Sequence, residues 1–321
     1  MDFLANYFGS LNPMSFLSAL PGNIAQGIIW GLMGLGVFLT FKLLNFADLS
    51  VDGSFATGGA VTAVMLINDC PVWATIIVAI LAGLAAGLVT GLLHTLLGIP
   101  DILAGILTQI ALYSINLNIM GKSNLPISYR NYTLVVSASN INMAILVGLG
   151  ICAVVIAAMY WYFGTEQGST IRSTGSNPAM SKAQGININF TKVIALALSN
   201  GLVALSGSLF AQYQGFADIN MGRGAIVIGL AAVIIGEVLG EAIFRKHMNF
   251  IIRMLFVIVG GILYYIAMGI VLWLKMPTDD TKLFTAIIVA IFLAVPYLQK
   301  KRKTSFKKVA KMNAKNAQKE G

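Results

Sequence analysis

An all-α polytopic membrane protein with about nine spanning helices is the fold class that the sequence predicts. Three observations predict it: 57% hydrophobic against 10% charged residues, a mean hydropathy of +0.82, and several apolar runs longer than the roughly 18 residues that cross a bilayer core. A soluble domain carries about 25% charged residues, so lipid is the solvent that suits this chain. Inside lipid every backbone N–H and C=O needs an internal partner, which leaves helices or closed barrels. The runs are too long and too evenly apolar for the alternating strands of a barrel.

Taken in order, spans are expected near residues 20–42, 52–68, 72–98, 101–121, 143–163, 192–214, 225–243, 249–274 and 281–299. They form a transmembrane domain over 20–299, between an external segment 1–19 and a basic tail 300–321. The short spans that start at 52 and 225 are the ones expected to be broken or re-entrant. The net charge of +9 resides in the tail, where nine Lys and Arg face only Glu320. That distribution excludes a nucleic-acid partner and anchors the C-terminus at an anionic cytoplasmic leaflet. Counting back from the tail puts 164–191 and 244–252 inside and the N-terminus outside. The N-terminal side agrees, since the first Lys or Arg is Lys42. No basic segment precedes the first apolar run, so no cleavable signal peptide is expected. Cys70 and Cys152 read as apolar fillers, with no metal site.

Small residues predict how the helices pack. Gly83, Gly87 and Gly91 make consecutive GxxxG steps, and Gly27/Gly31 and Gly236/Gly240 make single ones. Such steps let backbones approach where no hydrophobic effect drives helices together. The chain also echoes itself. Phe46-Ala47-Asp48-Leu49-Ser50 leads to Gly53, and Phe216-Ala217-Asp218-Ile219-Asn220 leads to Gly224. One copy precedes a span from the inside and the other from the outside, the pattern of an inverted-topology repeat. Such repeats place discontinuous helices at mid-membrane.

The loop 164–191 holds the segment Ile171-Arg172-Ser173-Thr174-Gly175-Ser176-Asn177-Pro178-Ala179-Met180-Ser181-Lys182-Ala183-Gln184-Gly185-Ile186. It predicts a short capped helix over 176–185. Ser176 or Asn177 suits the N-cap, Pro178 the first helical position and Gly185 a left-handed stop. Ala179, Met180 and Ala183 then share one face. That face reads either as an ordinary connecting turn or as a small apolar knob for a groove on a partner.

This segment resembles the cytoplasmic coupling segment of the branched-chain amino acid/ribose permease family of bacterial ABC importers. Ser173 and Ser181 stand where alanine is common in that family. The stretches 44–60, 103–121 and 210–237 are similar as well, the last two to a subgroup that works with lipoprotein binding proteins. The resemblance implies a type II importer-like fold of eight to ten helices and a permease homodimer in the bacterial cell membrane. It also implies separate ATPase subunits and an external substrate-binding lipoprotein. Arg172, Gly175, Asn177, Pro178, Ala179, Met180, Ala183 and Gly185 would then couple the chain to the ATPase. The chain has no G-x-x-x-x-G-K-[ST] loop, so no cofactor is expected on it and ATP with Mg is expected on the partner.

Polar side chains inside spans usually face protein or water. Gln109, Tyr113 and Asn116 lie at i, i+4 and i+7 on one helical face, where they either meet a solute or bond between helices. Ser199 and Asn200 before Gly201 suggest a kink. Gln212, Asp218 and Asp48 complete the candidates for a translocation path. Glu237, Glu241 and Arg245 read as inner-surface ion pairing, and His94 as a packed or hydrogen-bonded side chain. An ATP-driven importer of a small solute, an amino acid of aromatic or hydrophobic type, is the function expected, and not an enzyme. An ion-coupled secondary transporter, or an ABC permease for a sugar or nucleoside, are the alternatives.

Overall fold

The computed structural model describes residues 13–128, 132–244, 248–274, 283–284, 286–291 and 294. In chain order the elements are α1 (Pro13–Val37), continued by a π-helical turn (Phe38–Leu43), α2 (Val51–Ile67), α3 (Val72–Thr95), α4 (Asp101–Met120), β1 (Asn124–Pro126), α5 (Ile141–Gly164), α6 (Glu166–Ser176), α7 (Pro178–Ala183), α8 (Ile188–Gln214), β2 (Phe216–Asp218), α9 (Ala225–Phe244) and α10 (Phe250–Trp273).

Among the described residues seven helices are long and apolar enough to cross a membrane, and α2 is shorter. The first eight expected spans coincide with α1–α5 and α8–α10. Most of the ninth, 281–299, and all of the tail 300–321 lie outside the described residues, as does Arg245. Among the described residues the count is seven helices of spanning length and one shorter helix. The loop 164–191 also differs from expectation, because it holds two helices. Thr165 starts α6 by accepting the Gly168 N–H, and one residue, Asn177, both ends α6 and caps α7. Helix α8 runs unbroken through Ser199 and Asn200. A short antiparallel ladder, Asn124↔Asp218 to Pro126↔Phe216, joins β1 to β2.

Helices α1 and α8 form the centre, with their spans 83% and 78% buried, while those of α3, α4, α5 and α10 are 28–33% buried. Glycine rows set the spacing. Along α3, a Cβ at Gly83, Gly87 or Gly91 would strike the α8 backbone at Asn200, Leu196–Ala197 or Val193. Gly27 and Gly31 likewise press on Ile262 and Ile258 of α10, and Gly236 of α9 on Phe256. Interfaces of small residues are how membrane helices gain van der Waals contact.

The bundle has two distinct ends. One gathers α6, α7 and the end of the π-helical turn, with Gly175 seated on the backbone of Leu43. The α3 C-terminus joins the α8 N-terminus there, through Lys192 Nζ donating to His94 Nε2 at 2.9 Å while His94 Nδ1 bonds Ile99 O at 2.8 Å. The other end carries the β1–β2 ladder and the C-termini of α4 and α8. From the first end, residues 44–50 leave the π-helical turn and climb without helix to the middle of α8, where Asp48 meets Asn200; α2 begins there. From the other end, residues 219–224 descend past Met221, which packs on Gly59, to Asp52, where α9 begins. Helix α2 is short because it starts halfway through the bundle.

Candidate functional site

The two interrupted elements meet at Asp52. This residue occupies the first turn of α2, yet its carboxylate serves α9. Oδ2 accepts the Gly224 N–H at 2.9 Å and Oδ1 accepts the Ile226 N–H at 2.8 Å. A carboxylate suits a helix N-terminus, which carries unpaired N–H groups and the positive end of the helix dipole. Gly222 has no room for a side chain against the Asp52 carbonyl, and Gly224 has φ +83°. Glycine is therefore required where the descending chain turns into α9.

A cavity of about 290 Å³ opens beside this junction. Gln109, Tyr113 and Asn116 of α4 line it together, as their helical spacing predicts, with Asp52, Gly53 and Arg223. Asn116 is fully buried. Its Nδ2 reaches Gly53 O at 3.5 Å, and its Oδ1 has no hydrogen-bond partner. Tyr113 is 41% exposed. The ion pairs among the described residues join Glu237 to Lys42 at 2.7 Å and to Arg253 at 3.5 Å. Asp52 and Arg223 thus share a cavity without pairing. Sequence reading singled out neither Asp52 nor Arg223. Their signal was position, one in the first turn of a re-entrant helix and one directly before the other.

The remaining polar candidates stand elsewhere. Asp48 and Asn200 are buried against each other, with Asn200 Nδ2 donating to Asp48 Oδ2 at 2.7 Å. Ser50 donates to Asp48 Oδ1 from its backbone N–H at 2.9 Å and from its hydroxyl at 2.5 Å. These bonds fasten the start of α2 to α8. Asp218 makes the matching turn, accepting the Asn220 N–H at 2.7 Å on Oδ1. The sequence echo is therefore also an echo of local geometry. Gln212 is fully buried, and its Oε1 accepts the Val135 N–H at 3.0 Å, holding the 132–138 segment to α8.

At the far end α7 presents a compact knob. Asn177 Oδ1 accepts the Met180 N–H at 3.1 Å, Pro178 stands at the first helical turn, and Gly185 has φ +83°. Ala179, Met180 and Ala183 are exposed, Met180 at 58%. Behind the knob, α6 is tied inward. Ile171 joins the main core, Gly175 presses on Leu43, and Arg172 Nη2 donates to Phe163 O at 2.9 Å. Arg172 is exposed while its guanidinium bonds back to α5, and Gly175 faces the bundle. Among the described residues no group of three or more His, Cys, Asp or Glu could hold a metal ion.

Comparison with known proteins agrees with this architecture. The sequence profile of a family described as "Branched-chain amino acid transport system / permease component" matches residues 22–296. The tyrosine transport system permease protein of Clostridioides difficile (strain R20291) is 42% identical over 301 residues, 93% of this chain and 99% of that one. The D-allose transport system permease protein of Escherichia coli (strain K12) is 25% identical over 261 residues, 80% of this chain and 77% of that one. Among solved structures, PsaBC from Streptococcus pneumoniae in complex with Fab superimposes with a TM-score of 0.52 and 16% identity, covering 91% of this chain and 94% of that one.

Proposed function

The chain belongs to the family of branched-chain amino acid transport system permease components, and from that premise we propose that it is the membrane subunit of an ATP-driven importer of tyrosine or a closely related aromatic amino acid. The exposed, capped helix α7 carries the ATP-driven part of this reading. The 42% identity to a tyrosine transport permease over nearly the whole chain supports the substrate, and the weaker likeness to a D-allose permease makes a sugar the lesser choice. The working assembly would be a homodimer in a bacterial cell membrane. Two ATPase subunits on the cytoplasmic side would hold ATP and Mg, and a substrate-binding lipoprotein would sit outside. The N-terminus would lie outside and the C-terminus inside.

The mechanism follows from the mounting of α7. ATP-driven closure of the ATPase pair would push the Ala179–Met180–Ala183 face. The push passes through α6 to Leu43, where Gly175 leaves no slack. Leu43 ends the π-helical turn and leads to Asp48, which is bonded to Asn200 at the middle of α8. Motion at the docking end would thus reach the residues that set the start of α2, beside the cavity. An ion-driven carrier has no use for such a knob.

Uptake of labelled tyrosine by cells carrying or lacking the chain tests the proposal. Uptake that needs the chain and fails on ATP depletion supports it. Uptake that survives ATP depletion and collapses with the ion gradient refutes it.

A further inference from the structure

We infer that the cavity between α2, α4 and the 219–224 segment is an α-amino acid site within the permease itself, with Asp52 facing the ammonium group and Arg223 the carboxylate. This rests on the reading of the chain as an amino acid importer. Three observations carry it.

Opposite charges line one cavity without forming an ion pair. Asp52 is half-buried and Arg223 exposed, and among the described residues neither meets an opposite charge; a partly buried carboxylate without a cation is costly. A zwitterion answers both at once, whereas a sugar answers neither. A bare cation would meet Asp52 but be repelled by Arg223.

The N-terminus of α9 does not compete for the substrate carboxylate, because Asp52 already occupies it. Arg223 is the basic side chain that lines the cavity. Each Asp52 oxygen accepts one N–H there, and a carboxylate oxygen has a second lone pair for an ammonium donor.

Asn116 supplies an independent sign of a ligand. Its fully buried Oδ1 has no partner, and buried polar atoms are normally satisfied by protein, water or ligand. The volume, about 290 Å³, sits at the lower end of the roughly 300–1,000 Å³ of small-molecule sites. The half-exposed ring of Tyr113 gives an aromatic side chain a face to rest on.

The test uses the full chain in lipid nanodiscs and equilibrium binding of radiolabelled tyrosine. Competing probes are tyrosinamide, which lacks the carboxylate, and 3-(4-hydroxyphenyl)propionate, which lacks the amine. Saturable tyrosine binding is expected. Arg223→Gln should weaken tyrosine about tenfold or more and leave tyrosinamide unchanged, with Arg223→Lys restoring most of the loss. Asp52→Asn should weaken tyrosine and leave the deaminated acid unchanged. Wild-type chain that binds no tyrosine at millimolar concentration, or an Arg223→Gln chain that binds all three probes as wild type does, overturns the inference. Tyrosine uptake in cells is measured in parallel. Uptake that needs the chain but is indifferent to Arg223→Gln sinks the site and leaves the importer standing. Uptake that does not need the chain sinks the importer.

Discussion

Asp52 and Gly224 join the two interrupted halves of the bundle, the carboxylate of one accepting the backbone N–H of the other at 2.9 Å. The acid sits on a helix that starts mid-bundle, and the amide starts a second helix that runs from the same level. Each half therefore depends on the other for its start. Removing the acceptor should be felt as instability. Asp52→Ala is expected to cost about 2 kcal/mol, the upper end for a lost helix cap, with Asp52→Asn costing less because it keeps an acceptor. Thermal unfolding of the purified chain in detergent measures the difference.

Gly87 stands where α3 meets the backbone of Leu196 and Ala197 on α8. Overpacking of a tight interface costs roughly 1–3 kcal/mol for added methylenes, and more when backbone must move. Gly87→Leu should therefore abolish a monodisperse folded chain in size-exclusion chromatography. Gly150→Leu, where a side chain meets open space, should leave it unchanged.

Glu237 bridges Lys42 on the π-helical turn and Arg253 on α10. The pair is partly exposed, with side-chain exposures of 39% for the bases and 26% for the acid. Solvent-screened pairs contribute about 0–1 kcal/mol. Glu237→Gln should shift thermal unfolding by less than about 1 kcal/mol, and a larger loss would show that the pair is more shielded than its exposure indicates.

Asn124 and Ala183 lie at opposite ends of the bundle. In intact cells, and with native Cys70 replaced by Ser, Asn124→Cys should react with a membrane-impermeant thiol reagent and Ala183→Cys should react only after permeabilisation. Equal labelling from one side would undo the orientation.

The sequence made the helices legible because a helix in a membrane bundle, buried or lipid-facing, must be largely apolar, and eight runs of that kind overlap α1–α5 and α8–α10. The α7 cap was equally legible, since Asn177, Pro178 and Gly185 each have one favoured role at a helix end. The Gly83–Gly87–Gly91 face was readable from its period. What stayed hidden depends on contacts between distant segments. Nothing local to Asp52 says that it caps a helix beginning at Ala225. Nothing local to Asn200 or Gln212 tells a structural bond from a path residue, because a buried Asn looks the same whether its partner is Asp48 or a solute. Helix α6 was missed because its polar sequence Glu166–Ser176 has little apolar stripe beyond Ile171, and it is held by Gly175 on Leu43 instead.

If α7 transmits work into the bundle, its face should tolerate no charge. Met180→Asp with Ala183→Asp is expected to leave thermal unfolding within about 0.5 kcal/mol, since surface substitutions rarely do more. ATP-driven uptake by the reconstituted importer should nonetheless fall to background.

The most direct measurement is thiol cross-linking from Met180→Cys in membranes that contain the whole transport system, with Asn124→Cys as the opposite-end control. A covalent adduct between Met180→Cys and the ATPase subunit, absent from the control, is the predicted result. An adduct from Asn124→Cys alone, or none from Met180→Cys while uptake remains ATP-driven, would contradict the role assigned to α7.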